Sequence, residues 1–392
     1  MIRLSLLLGS LFLAVVAAAD FDVKTEGFFT SRYRSFKETP FSKYNLDNFI
    51  FLKEELSYAQ DSFNVQASPY IIVVDSKDVK RVKQAGDPIL SPIFPARQKM
   101  NLRQKGEKSN KTHWLTDFQE LFVSANHESL SLDVGRRIIS LGNLKLLSGW
   151  NKFNPTGASF RPTWLRGVDN VKLAWQNESS KLIGYSIFDE DESYNARLLQ
   201  MDHFMSPVQM SILTGTWWEA KTVGLAFTVD VEGWLLKFES LSFDYYGSRK
   251  LIKDESQWGA GIERSFAQDW TANLEFLVQS RGAKKKEEYA AHMMTPHQAL
   301  RGKEYAAGEL KWTPDPFYTY SALVLYSLVD QSSLQGLTVA KQWNDNTEVS
   351  LGMMVPQGKR GAEFAQKFEL VSLGGAYVGA PSQADLTVKV FY

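Results

Sequence analysis

The 392-residue sequence predicts an all-β fold, a transmembrane antiparallel up-and-down barrel of about 18 strands, with 16 as the alternative. Three observations predict it. An export signal heads the chain, and no later apolar run is long enough to cross a bilayer as a helix. Apolar and polar residues alternate with period two over most of the length. Connections between the alternating segments sort by parity: every second one is a turn of two to five residues, and those between are longer.

Composition agrees with that reading. The chain carries 44 Lys+Arg against 44 Asp+Glu, which excludes a strongly basic nucleic-acid surface. It has no cysteine, so a large architecture must hold together without disulfide staples. Twenty-five Phe, 15 Tyr and 11 Trp accompany a slightly negative mean hydropathy, as expected of a wall with one face in lipid and the other in water.

Taken in order, Arg3, the apolar run Leu4 to Val16 and Ala17-Ala18-Ala19 read as a secretory signal peptide over 1–19, cleaved before Asp20. The barrel then occupies 20–392 as a single domain. Its first strand sets Phe21, Val23, Thr25, Gly27 and Phe29 against Asp22, Lys24, Glu26 and Thr30. Strands follow at about 46–58 and 63–74, and the irregular, Pro-bearing stretch 76–112 reads as a long loop. Alternation resumes at about 113–125 and 129–140, where Leu130, Leu132 and Val134 oppose Ser131, Asp133 and Arg137. A second irregular stretch, 141–165, is aromatic and apolar rather than charged, so it is expected to fold into the lumen.

From Val171 onward the strands come in quick succession, at about 181–188, 195–205, 207–218, 222–232, 235–247, 256–267 and 270–281. After the lysine-rich loop 283–303 they continue at 304–313, 317–330, 333–343 and 347–356. The last connection, 357–383, includes a candidate short helix over 363–373. Leu386, Val388, Val390 and Tyr392 then share one face of the final strand, with Thr387 and Lys389 on the other. Trp175, Trp234, Trp270, Trp312 and Trp343 fall beside the short turns, and Trp217, Trp218 and Trp258 near the longer connections, which suggests two aromatic girdles.

A terminal strand that alternates this way and ends on an aromatic resembles the closing strand of bacterial outer-membrane barrels. That resemblance implies recognition of Leu386, Val388, Val390 and Tyr392 by the barrel-assembly machinery, with outer-membrane lipid and lipopolysaccharide as surroundings. The run Gly135-Arg136-Arg137-Ile138-Ile139-Ser140-Leu141-Gly142-Asn143, followed by Phe153-Asn154-Pro155, Arg161 and Gly167-Val168-Asp169, is similar to a segment of porin-like outer-membrane β-barrels of Gram-negative bacteria. More loosely it resembles barrels that export anionic polysaccharide such as alginate. The match covers about a tenth of the chain.

The resemblance implies that 141–165 narrows the pore. Inward alternation nominates Asp133, Arg137 and Lys172, with Arg161 and Arg166 at the end of the loop, as lining a constriction. Arg136 has the wrong parity unless Gly135 forms a bulge. Clustered arginines beside a carboxylate would set a transverse field across a path for polar or anionic solutes, or would instead pin the loop to the wall by ion pairs. The expected function is passive diffusion of small hydrophilic solutes, anionic ones included, without cofactor, metal or catalysis. Polymer export and a barrel-based surface enzyme are the alternatives. For the enzyme the best pairing is His203 with Ser206, and for a soft metal the pair His292 and His297. Oligomeric state has no signature in period-two patterning.

Overall fold

In a computed structural model, the described residues are 22–35, 44–75, 99–100, 102, 104–107, 112–151, 153, 167–190, 192–246, 254–266, 269–289, 300–359, 362–364, 369–371, 376–378 and 382–391. The signal peptide, Tyr392, Arg161, Arg166, His292 and His297 lie outside them.

The strands are β1 (Asp22–Ser35), β2 (Tyr44–Gln60), β3 (Phe63–Asp75), β4 (Gln104–Glu107), β5 (Thr112–His127), β6 (Leu130–Ile138), β7 (Gly167–Gln176), β8 (Ser180–Phe188), β9 (Ala196–Met205) and β10 (Val208–Trp217). They continue as β11 (Ala220–Val231), β12 (Trp234–Tyr245), β13 (Glu255–Phe266), β14 (Trp270–Gln279), β15 (Glu304–Asp315), β16 (Tyr318–Ser327), β17 (Ser332–Asn344), β18 (Thr347–Gln357), β19 (Glu369–Val371), β20 (Ala376–Val378) and β21 (Ser382–Phe391). Leaving aside β4, β19 and β20, eighteen strands pair antiparallel with their sequence neighbours, and β21 pairs back onto β1 from Glu26↔Phe391 to Ser35↔Ser382. The sheet is therefore closed and has no free edge, which a membrane demands of a β structure.

Alternation fixes which way each side chain points. On β11, Val223, Leu225 and Phe227 are exposed while Thr222, Gly224 and Ala226 between them are buried. Large apolar residues such as Leu173, Met201, Val223, Leu274, Leu337 and Leu351 are exposed all round the outer surface, where water would make them costly and lipid does not. On β21, Leu386 is exposed on that outer face, and Thr387 turns inward to hydrogen-bond Thr30 at 2.9 Å.

At one end every connection is short: 61–62, 128–129, 177–179, 206–207, 232–233, 267–269, 316–317 and 345–346. The other end carries the long loops, with two exceptions, 218–219 and the four-residue connection 328–331 between β16 and β17. Trp218-Glu219 joins β10 to β11 in two residues, both in the left-handed region at φ 55° and 58°, as a tight hairpin turn requires. The stretch 76–112 also contains a strand, because β4 pairs with the edge of β5 from Gln104↔Thr116 to Glu107↔His113. Of the helix considered over 363–373, the described residues Glu369–Val371 form a strand instead, paired antiparallel with Ala376–Val378. Their β-branched and aromatic residues suit paired strands better than a helical turn.

Trp175, Trp234, Trp270, Trp312 and Trp343 all lie in strands beside the short turns. There Trp270 stacks on Trp312 at 5.2 Å, Trp312 on Tyr320 at 5.0 Å, and Arg264 and Lys341 sit over Trp234 and Trp343 at 4.5 and 4.8 Å. Apolar rings with polar edges and flanking cations suit a headgroup layer. At the opposite end Trp258 faces out, but Trp217 is 0 % exposed and points into the lumen. It stacks on Phe153 at 4.7 Å, because an inward apolar ring is stable only where another element covers it.

Candidate functional site

That covering element is the loop that follows β6. After Ile138 the chain leaves the wall, and residues 139–151 together with Phe153 cross to the inner face of β8–β17. Trp150, Leu141 and Ile139 pack with Leu198, Leu213, Trp217, Ala226 and Leu241. Leu147 packs with Leu277, Tyr305, Ala307, Leu325 and Leu334. The wall makes room for this with glycine. A Cβ on Gly224 would meet the Trp150 ring at 2.7 Å, and one on Gly259 would meet Leu144 Cδ1 at 2.5 Å.

Two inward carboxylates hold the loop backbone. Glu239 on β12 accepts hydrogen bonds from the Asn143 amide at 3.2 Å, the Leu144 amide at 3.5 Å, the Trp150 amide at 3.4 Å and the Ser148 hydroxyl at 3.1 Å, and also from the Gly149 amide. Glu275 on β14 accepts from the amides of Lys145, Leu146 and Leu147 at 2.7, 2.8 and 2.8 Å. A loop without regular structure has unpaired N–H groups, and a buried carboxylate needs donors, so each arrangement satisfies the other. Side chains add to it: Asn143 Nδ2 donates to Phe227 O at 2.7 Å, Trp150 Nε1 to Ser240 O at 2.7 Å, and Lys145 Nζ meets Glu263 at 2.6 Å.

With β8–β17 lined by the loop, the charged side of the lumen is the wall of β21, β1–β3 and β5–β7. Glu26 bridges Lys53 at 3.2 Å and Lys389 at 2.7 Å, and Lys53 also reaches Glu55 at 2.6 Å. Glu120 accepts from Gln66 at 3.3 Å and from the Ile138 amide at 3.1 Å. Asp133 accepts from Ser124 at 2.5 Å and Lys172 at 3.0 Å and pairs with Arg137, whose guanidinium lies 4.7 Å over the Phe122 ring. Three of the five residues nominated for a constriction, Asp133, Arg137 and Lys172, thus form a single network. Arg161 and Arg166 fall outside the described residues.

Arg136 behaves differently from Arg137. It is 0 % exposed, and its five donor hydrogens are directed to Asp169 Oδ1 at 2.8 Å and Oδ2 at 3.4 Å, Asp117 at 2.6 Å, Phe118 O at 3.3 Å and Met100 O at 2.6 Å. Met100 returns a hydrogen bond from its amide to Asp169 at 2.6 Å. The guanidinium therefore ties β5, β7 and the segment leading to β4 together inside the wall. The register runs through Gly135 without a bulge, so Arg136 keeps the parity opposite to Asp133 and Arg137; at Gly135 itself φ is +135°, and a Cβ would lie 2.2 Å from Leu121 O. Arg136, set aside on parity, is thus held by ion pairs, and the segment it ties down precedes β4 rather than following β6.

Glu239, Glu275, Glu26, Lys53 and Glu120 escaped sequence reasoning. Each is an ordinary polar member of an alternating strand, and only the incoming loop or the strand across the seam distinguishes it. His203 does not pair with Ser206. Its Nδ1 lies 2.9 Å from Ser180 Oγ, directly across the β8–β9 ladder, because Ser180 is its register partner. Among the described residues no cluster of three or more His, Asp or Glu could hold a metal ion.

No family model matches the chain, and no curated protein does. Solved structures do. OccAB3 of Acinetobacter baumannii shares 8 % identity at a TM-score of 0.60, over 95 % of this chain and 99 % of that one. OccK2 (OpdF) of Pseudomonas aeruginosa shares 9 % at 0.58, over 95 % and 97 %. The outer membrane protein OpdK of Pseudomonas aeruginosa shares 9 % at 0.55, over 95 % and 98 %. At these identities the likeness is one of fold: a closed, porin-like β-barrel spanning nearly the whole of both chains.

Proposed function

We propose that the chain is a passive channel of a bacterial outer membrane, admitting small hydrophilic solutes along the charged strip beside the 139–151 loop. The observation that carries the reading is the division of the lumen: an apolar loop clamped to one side, and paired charges facing inward on the other. The apolar outer surface, the absence of a sheet edge and the outer membrane protein among the similar structures support the location. Lipid and lipopolysaccharide are then the natural surroundings, and the terminal face of Leu386, Val388, Val390 and Tyr392 is the segment offered to the assembly machinery.

For charge selectivity, the preference for anions loses its motive once Arg136 is committed inside the wall and Arg137 shares Asp133 with Lys172. Alternating Glu26, Lys53, Glu55, Glu120, Asp133, Arg137 and Lys172 fit a transverse field that orients dipolar or zwitterionic solutes better than one that collects a single sign. Liposome swelling with sugars of graded size, combined with the reversal potential in a salt gradient, tests both parts. Size-dependent swelling with weak ion selectivity is expected. Impermeable liposomes would refute the channel, and strong anion selectivity would restore the anionic reading.

A further inference from the structure

On the outer surface at the long-loop end, Ser186, Arg197, Thr216, Lys221 and Asp244 stand directly opposite one another across β8–β12. Arg197 and Lys221 are exposed, whereas their chain neighbours Ala196, Leu198, Ala220 and Thr222 are buried, so both cations point away from the lumen. The next outward residues towards the short-turn end, Leu199 and Val223, are apolar and exposed, which places the pair where hydrocarbon begins. Neither cation has a hydrogen bond, ion pair or ring contact among the described residues. Asp244 faces out beside Lys221 without forming an ion pair there. Under the row lies a concavity of about 470 Å³, lined by Val171, Leu173, Gly184, Leu199 and Thr214 with Arg197 itself.

A cation facing a membrane is tolerated when an anion comes to it, and at this end of an outer-membrane barrel the anions available at that depth are lipid phosphates. Arg197 and Lys221 are two strand spacings apart, about 10 Å at the backbone. That separation suits two phosphates at the two ends of a disaccharide headgroup better than a single phosphodiester. The apolar concavity lies on the hydrocarbon side of Arg197, where an acyl chain of such a lipid would descend. We propose that Arg197 and Lys221 form a binding site for the bis-phosphorylated lipid A portion of lipopolysaccharide, with an acyl chain seated between Leu173 and Leu199.

This inference rests on the outer-membrane reading above but makes separate demands. The full chain, purified in detergent, is titrated with lipid A, with lipid A stripped of its phosphates and with phosphatidylglycerol, and adducts are counted by native mass spectrometry. Lipid A adducts are expected on the unaltered protein, falling at least tenfold in the Arg197→Gln, Lys221→Gln double variant and with the dephosphorylated lipid. Gly184→Leu fills the concavity while keeping both charges, and it is accommodated because a Cβ there meets nothing closer than Leu173 O at 3.9 Å. It should lower binding as well. Equal adducts on the double variant, equal retention of phosphatidylglycerol, or occupation of the face by a second barrel would each overturn the proposal. Bilayer conductance of the same samples separates the two readings: a conducting barrel that ignores lipid A sinks only this one.

Discussion

Neutralising the two carboxylates under the 139–151 loop tests the architecture most directly. Glu275 receives three backbone amides within 2.8 Å, and Glu239 receives four together with the Ser148 hydroxyl. Hydrogen bonds to a charged acceptor contribute about 1.5–3 kcal/mol each. Glutamine keeps one acceptor oxygen: placed under Leu146 and Leu147 it turns its NH2 group towards the Lys145 amide and the Asn273 side-chain amide, which donates to the same oxygen at 2.9 Å, so two bonds at Glu275 are lost. The gross loss is about 3–6 kcal/mol, and relaxation of the loop should leave about 2–3 kcal/mol net. At 1.4 kcal/mol per decade that favours the displaced loop by roughly 30- to 150-fold. The apolar contacts of Trp150 and Leu147 remain, so the loop should fluctuate rather than leave. Single-channel recording of Glu275→Gln, Glu239→Gln and the double variant should show raised conductance and open-channel noise, largest in the double. Conductance and noise indistinguishable from the unaltered protein in all three would refute the clamp.

Three further outcomes follow from particular residues. Gly135→Ala combines a positive φ with a Cβ 2.2 Å from Leu121 O and should cost about 2–4 kcal/mol, lowering the temperature at which the barrel loses its compact migration on gels. Gly233→Ala, at φ 82° with nothing within 4 Å, should cost less and serves as the control. Asp133→Asn leaves Arg137 and Lys172 facing an uncharged amide; a lumenal charge change worth about 0.5–1 kcal/mol should move the permeability ratio two- to fivefold towards anions, read as a reversal potential. The third concerns Glu363, which joins the loops beyond β14, β16 and β18: its carboxylate accepts from Tyr305 and from the Arg301 amide at 2.9 Å, and its own amide donates to Asp330 at 2.7 Å. Burial pushes this carboxyl above the usual range, so the folded latch holds its proton to higher pH than the unfolded chain does. Its stability is fully present below the ordinary carboxylate range and declines as pH rises through that range towards the raised value. Protease cleavage in 280–289 should accordingly quicken as pH rises above the ordinary carboxylate range, and Glu363→Gln should flatten that dependence.

Much of this was legible in the sequence because alternation is a local property. Each barrel strand, the short turns at one end, the outward Leu386 and the inward Thr387 follow from side chains pointing to opposite faces of a pleat, which needs no knowledge of partners. The grouping of Asp133, Arg137 and Lys172 was legible for the same reason, since 133 and 137 share a face and 172 stands opposite 133 in the register. The left-handed turn at Trp218-Glu219, the lumenal burial of Trp217 and the strand inside 76–112 were not, because each depends on what another part of the chain supplies.

The sequence by itself determined a closed wall with a greasy outside and a polar inside, since a period of two and the lengths of turns are written residue by residue. Only the tertiary structure decided what the inside contains. Glu239 and Glu275 become clamps because a loop that follows β6, 89 to 96 and 128 to 130 residues away in sequence, brings unpaired amides to them. Arg136 and Arg137, adjacent in sequence, part company because neighbours on an unbroken strand face opposite ways, and only the tertiary structure brings Asp117, Asp169 and Met100 O around the first and Asp133 to the second. Distant pairing of buried charge with backbone donors has no local signature, and that pairing shapes the path through this barrel.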